Sequence, residues 1–359
     1  MPYFSLNAFS LWLAAWACLM VAPAQAGITY QEVTVGNAGN ANDTGGGSIG
    51  TVAYDYQIGK YDVTIGQYTA FLNAVARTDT NSLYSSSMGT DGNIAGISRT
   101  GGSGSYTYSV LGSANRPITY VSWWDSARFS NWMANGQPTG LQTSTTTENG
   151  AYNVNGATSG NAVAKNATNP NTSAAPTFYI PTENEWYKAA YYSPNYGGPG
   201  VGGYYAYATQ SNTAPGNVVG SLANQANYIG NNGFYSVTQS SSYSGSQIYL
   251  TDVGAFSGSG SFYGTFDQTG NVFQWNDLDG TVGSSRGLWG GGWDYYAYGV
   301  SSSDAGSDDP ANEYSLIGFR LASPVSVSGV PEIDPNGLSA ALGLIAAGLG
   351  LLERRRYGR

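Results

Sequence analysis

The sequence predicts an α+β fold: a single domain of short helices among glycine- and aromatic-rich loops, with little regular sheet. The 359 residues include 51 Gly, 29 Tyr and 9 Trp, so tight turns and large aromatic side chains dominate the chain. Apolar residues recur at helical spacing in only a few short stretches. Between these stretches, alternating Val, Tyr and Thr residues predict short strands.

The composition excludes several kinds of chemistry. Only 10% of the residues are charged and the net charge is −9, which argues against nucleic acid as a partner. Histidine is absent, which excludes Ser-His-Asp catalysis and His-ligated zinc or iron. The single cysteine, Cys18, lies in an N-terminal apolar stretch, so a chain without that stretch has no thiolate for copper. Calcium, which takes oxygen ligands, stays compatible with the composition.

The N-terminal residues 1–26 have the pattern of a signal peptide. Leu11 to Ala22 form a short apolar core, and Ala24-Gln25-Ala26 is a small-x-small cleavage site. The sequence therefore predicts export, and a folded domain over residues 27–323.

Three helices are predicted from N-terminal capping signals. Thr64 and Gln67 have the spacing of a capping box before an apolar helical face. Ser122 is placed to cap a second helix. Thr182 and Glu185 form another capping box before a third helix.

Three long segments are predicted to be loops. Residues 79–115 are rich in Ser, Gly and Tyr and predict an irregular surface insertion. Residues 137–176 are polar and low in bulk, and residues 192–215 are rich in Gly and Tyr.

The stretch from Asp267 to Ala322 contains three motifs in order. Gly270–Trp275 reads GNVFQW, Arg286–Trp293 reads RGLWGGGW, and Ile317–Ala322 reads IGFRLA. Together with IPTENEWYKAA in the third helix, they resemble the formylglycine-generating (sulfatase-modifying factor) family. This resemblance covers roughly residues 28–322 and implies one α+β domain related to C-type lectins.

The resemblance implies that the family's oxidase chemistry is lost. Family oxidases bind copper through two cysteines that follow a Gly-Gly-Ser motif. Aligning that motif on residues 290–292 places Tyr295 and Val300 at or near the two cysteine positions. Neither side chain binds copper(I) as a thiolate does, so no catalytic residue is assigned.

The resemblance also implies calcium sites. One lies around the GNVFQW motif, where Gln274 replaces a family glutamate, and a second lies near Asn227. The implied ligands are Asn227, Tyr228, Asp252, Thr269, Gly270, Val272 and Gln274. The alternative is that Asn271 and Gln274 only satisfy buried backbone groups in a tight turn.

An aromatic tract lies where the family has its substrate groove. It contains Trp293, Tyr295, Tyr296 and Tyr298, and aromatic side chains suit sugar rings or extended peptides. We expect the tryptophan to lie mostly in the core and the tyrosines to be exposed. Arg320 is expected to be a buried structural arginine bonded to loop carbonyls.

The C-terminal residues 324–359 resemble a PEP-CTERM sorting tail. Residues 330–335 read VPEIDP, residues 337–352 are predicted to form an apolar helix, and residues 353–359 are basic. The resemblance implies an exosortase-type sorting enzyme as a partner, and a protein held in the membrane at least transiently by this helix.

These observations together predict an exported, surface-sorted and non-catalytic binding module of the cell envelope or extracellular matrix. Its ligand would be a polysaccharide or an extracellular protein. Two alternatives stay open: an enzyme of altered chemistry in the same groove, and a structural surface protein.

Overall fold

The computed structural model describes residues 27–45 and 47–325, which form short helices and short strands joined by long loops. The helices are α1 (Ile65–Val75), α2 (Ser87–Thr90), α3 (Trp123–Ala134) and α4 (Glu183–Tyr191), with a 3-10 turn at Ala297–Val300. The strands are β1 (Glu32–Val35), β2 (Tyr56–Gly59), β3 (Ile97–Thr100), β4 (Thr107–Val110), β5 (Tyr192–Ser193), β6 (Gly203–Tyr204), β7 (Phe273–Asn276), β8 (Arg286–Trp289), β9 (Gly306–Asp308), β10 (Ile317–Phe319) and β11 (Ala322–Pro324). The predicted α+β class with little regular sheet is confirmed.

The three predicted helix starts are confirmed at α1, α3 and α4. The side chains of Thr64, Ser122 and Thr182 each accept the backbone N–H of the third helical residue. In every case the side chain of that third residue accepts the backbone N–H of the capping residue in return, which completes a capping box. Local hydrogen bonding therefore fixes where each of these helices begins.

Two small sheets organise the domain. The first has the order β1-β2-β11 and is antiparallel throughout. The second has the order β10-β7-β8-β9, in which β10 is parallel to β7 and the other pairs are antiparallel. Its register pairs Gln274 with Trp289 on one side and with Gly318 on the other. The three motifs that carry the family resemblance therefore meet in one sheet.

Aromatic side chains fill the core. Phe129 of α3 packs edge-on against Phe71 of α1 and Phe319 of β10, with ring centroids 5.2 and 5.4 Å apart. In a second cluster, Trp186 of α4 stacks on Trp289 of β8 at 6.2 Å. Such pairs add to the stabilisation from buried apolar area, so helices and sheets are joined mainly through aromatic rings.

Two of the predicted loops are partly wrong. Residues 79–115 contain α2 and the β3–β4 hairpin, and they bury Met88, Ile97 and Tyr108 in the main core. Tyr108 is held against α1, since its backbone N–H donates to Asn73 Oδ1 at 3.0 Å. The many Ser and Gly residues around these few apolar side chains hide this packing in the sequence. Residues 192–215 likewise include the short β5–β6 hairpin.

The side chain of Arg320, which follows β10, is completely buried and joins four segments. Its Nε donates to Gln274 Oε1 at 2.6 Å and its Nη1 to the Gly59 carbonyl at 2.9 Å. Its Nη2 donates to the Phe266 carbonyl at 2.8 Å and to Asp62 Oδ1 at 3.2 Å. The prediction of a structural arginine bonded to loop carbonyls is confirmed.

Replacing Arg320 with methionine tests this role. Arg320→Met removes four hydrogen bonds from buried acceptors, so we expect the free energy of unfolding to fall by about 3–5 kcal/mol. Urea denaturation measures the change. The control is Arg77→Met, because Arg77 is exposed and should cost about 0.5 kcal/mol or less. A loss below about 1 kcal/mol for Arg320→Met would contradict the role.

Glu32 of β1 is expected to make stability depend on pH. Its Oε1 is buried without a hydrogen-bond partner in the described part of the chain, and burial raises the pKa of its carboxyl to about 7. The folded state therefore favours the protonated carboxyl, and protonation stabilises the fold at low pH. This stabilisation is lost as pH rises through about 7. Urea unfolding at about pH 5 and about pH 8 measures this effect. From the lower to the higher pH, we expect the free energy of unfolding of wild type to fall by roughly 1–2 kcal/mol relative to that of Glu32→Gln. An unchanged difference would contradict the assignment.

Candidate functional site

Three exposed tyrosines follow the end of β8. We call Tyr295, Tyr296 and Tyr298 the tyrosine face; their exposed fractions are 38%, 64% and 70%. The turn before them is tight, because Gly291 has a φ of +73° and a Cβ on it would lie 2.2 Å from the Gly299 carbonyl oxygen. Only glycine fits there, so the backbone itself holds the three phenol rings at the surface.

A column of parallel rings lies next to the tyrosine face. Trp293 is buried and stacks on Tyr249, with centroids 4.5 Å apart and planes inclined by 10°. Tyr249 is parallel to Tyr243 at 5.8 Å, and Tyr235 is tilted against all three rings. Tyr243 ends the column at the surface, where it is 58% exposed. Sequence reasoning missed these tyrosines; their only signal was a cluster of Tyr within a Ser-rich loop.

One carboxylate adjoins both groups of rings. Asp294 lies between Trp293 and Tyr295 in the chain, and its Oδ1 is buried without a hydrogen-bond partner among residues 27–45 and 47–325. Burial raises the pKa of this carboxyl. The exposed rings themselves suit a ligand that has apolar faces and hydroxyl edges.

The two positions where the resemblance implies copper cysteines offer no sulfur donor. Tyr295 is a partly exposed phenol. Val300 is fully buried in an apolar cluster with Tyr207, Ala226 and Tyr228. Copper(I) prefers soft sulfur donors, so these two residues do not fit it.

The structure brings most of the predicted calcium residues together. The Asn227 carbonyl accepts the backbone N–H of Asn271 at 2.8 Å, and Asn227 Nδ2 donates to Asn271 Oδ1 at 2.9 Å. A Cβ on Gly270 would lie 2.2 Å from the Asn227 carbonyl oxygen, so this approach requires glycine. The segment of Gly270 also contains Thr269, Val272 and Gln274. Tyr228 follows Asn227 and is buried, and Asp252 is exposed.

The hydrogen bonds of Gln274 do not fit a calcium ion. Gln274 is completely buried, and its Oε1 accepts Trp186 Nε1 at 2.7 Å and Arg320 Nε at 2.6 Å. Its Nε2 donates to the Asp267 carbonyl at 2.9 Å. A cation at Oε1 would face the Arg320 guanidinium. The described residues also contain no group of three or more acidic side chains placed to hold a metal. The geometry agrees with the alternative that Gln274 satisfies buried polar groups.

Residues 27–45 and 47–325 contain no helix long and apolar enough to cross a membrane. The predicted signal peptide and most of the predicted sorting tail lie outside the described residues.

Comparison with known proteins identifies relatives of the domain. A family model described as "Sulfatase-modifying factor enzyme 1-like domain" matches residues 31–325. Among solved structures, the chain is similar to CarF (20% identity, 83% of this chain and 99% of that one, TM-score 0.44). It is also similar to Treponema denticola variable protein 1 (18%, 82% and 95%, TM-score 0.47) and to PvdO from Pseudomonas aeruginosa (16%, 82% and 92%, TM-score 0.39). No curated protein matches the chain.

Chelation tests the calcium prediction. Because the donors around Gln274 are taken by protein groups, we expect EDTA to change the melting temperature by less than about 1 °C. Differential scanning calorimetry, with and without added calcium, measures this. A fall of several degrees that calcium reverses would contradict the expectation.

Proposed function

The chain belongs to the sulfatase-modifying factor enzyme 1-like family. We propose that it is a non-catalytic binding module of the cell envelope or extracellular matrix. The observation that carries the proposal is the tyrosine face. Where the family resemblance predicts a thiolate, Tyr295 presents a phenol ring to solvent. With no histidine, and with Cys18 as its one cysteine, the chain has no thiolate or imidazole ligand beyond residue 18.

The ligand that we propose is a polysaccharide. Tyrosine rings offer flat apolar surfaces to the C–H faces of a sugar, and their hydroxyls reach its polar edges. The exposed end of the aromatic column at Tyr243 extends this surface. Residues 235–249 and 293–303, which carry these rings, contain no Lys or Arg, and this favours a neutral polysaccharide over a strongly anionic one.

We propose that residues 1–26 direct export and that the tail at 324–359 is read by an exosortase-type enzyme. The direction of the C-terminal strands determines how far the tyrosine face lies from such a tail. Phe273 packs edge-on against Tyr295 and pairs with Ile317. From Ile317 to Pro324 the chain runs extended alongside residues 56–63. This run takes the chain roughly 25 Å away before the predicted tail begins, so a ligand could reach the tyrosines of an anchored protein.

Removing the rings of the tyrosine face tests the proposal. We expect a Tyr296→Ala/Tyr298→Ala double variant to bind envelope polysaccharide at least tenfold more weakly than wild type, because each ring contributes about 1 kcal/mol. Affinity electrophoresis of the purified domain against polysaccharide fractions measures this change.

The matched control is Phe262→Ala, which removes an exposed aromatic ring outside the tyrosine face. Its affinity should equal that of wild type. Equal binding by the tyrosine double variant, or no binding of wild type to any fraction, would contradict the proposal.

A further inference from the structure

A polar depression of about 500 Å³ lies apart from the tyrosine face and shares no residue with it. Its walls come from two segments, residues 80–81 and residues 142–156. The lining consists of Thr80, Asn81, Gln142, Thr143, Ser144, Glu148, Asn149, Asn153, Asn155 and Gly156. All but one of these residues are uncharged, and none has a large apolar side chain. This volume lies within the range of small-ligand sites.

The one charged residue of the lining is neutralised from within the protein. Glu148 Oε1 accepts Arg128 Nε at 2.9 Å and Asn81 Nδ2 at 2.9 Å. Its Oε2 accepts Arg128 Nη2 at 3.0 Å and the Gly156 backbone N–H at 2.8 Å. Because Arg128 is completely buried, this ion pair forms a rigid wall without free charge.

Other lining groups are free to meet a ligand. The side chains of Thr80, Ser144, Asn153 and Asn155 are exposed, and the structure shows no hydrogen bond from them to other described residues. Gln142 Oε1 accepts the Asn81 backbone N–H at 2.9 Å, so the Gln142 amide is held in the wall between the two segments.

The chemistry of the lining narrows the ligand class. A phosphate would need exposed Lys or Arg, and the lining has none. A cation would need free carboxylate oxygens, whereas those of Glu148 are occupied. Apolar ligands would find no apolar wall. Amides and hydroxyls, which both donate and accept, match the hydroxyls and acetamido groups of sugars.

We propose that this depression binds a neutral sugar unit, as a second contact region for the polysaccharide. The inference rests on the proposed function for its biological ligand, but its site is separate. Without aromatic rings in the lining, binding relies on hydrogen bonds alone. Affinity for one sugar unit is therefore on the order of millimolar.

The test is an NMR titration of the purified domain, following side-chain amide signals. The probes are N-acetylglucosamine and glucose, with inorganic phosphate and calcium chloride as separate arms. We expect the sugars to shift the amide signals of Gln142, Asn153 and Asn155 saturably. Shifts with phosphate or calcium only, or no shift with either sugar, would overturn the proposal.

Two Asn153 variants and one control variant distinguish sugar binding in the depression from effects of substitution elsewhere on the surface. Asn153→Trp fills the depression and should abolish the shifts, and Asn153→Ala should weaken binding several-fold without adding bulk. Asn161→Trp places the same ring at an exposed position outside the lining and should leave the titration unchanged. Titrations by both Asn153 variants that equal wild type would overturn the assignment.

The two proposals fail separately. In one outcome, the tyrosine double variant loses polysaccharide binding and the sugars do not shift the amide signals of the domain. This outcome would reject the depression and keep the tyrosine face. Sugar-dependent amide shifts with unchanged polysaccharide binding in that variant would reject the tyrosine face and keep the depression.

Discussion

Arg320 buries a full positive charge at the centre of the domain, and four protein acceptors compensate for its lost hydration. These acceptors belong to β2, the turn before α1, the loop before β7, and β7 itself. Gln274 continues the network to Trp186 of α4, and its strand register fixes β8 beside it. The turn that follows β8, with the tyrosine face, is therefore positioned by one buried ion network.

The buried network fixes the position of the turn, but not which side chains the turn carries. The copper cysteines implied by the resemblance would lie after β8, in a turn that needs Gly291 for its backbone path. Tyr295 and Val300 occupy the positions where the resemblance implies those cysteines. A rigid turn can thus present aromatic rings as readily as thiolates. The side chains on the turn determine what it can bind, whereas Gly291 and Arg320 determine its backbone position.

The sequence predicts the local features of this domain better than its long-range ones. The helix caps at Thr64, Ser122 and Thr182 involve residues only three positions apart, so the sequence alone predicts where these helices begin. The column of Tyr243, Tyr249 and Trp293 joins segments that only tertiary folding brings together. Gln274 illustrates the same limit, because its amide could serve a metal or an arginine until its neighbours are known.

The most direct test of the central claim is an oxidase assay on the purified domain. A cysteine-containing sulfatase peptide would be incubated with the domain, copper(I), oxygen and a thiol reductant, and the peptide mass followed over time. The absence of thiolates at Tyr295 and Val300 predicts an unchanged peptide, as with no protein. Conversion of the peptide cysteine to formylglycine would show that catalysis persists without those thiolates, and would contradict a binding-only role for the domain.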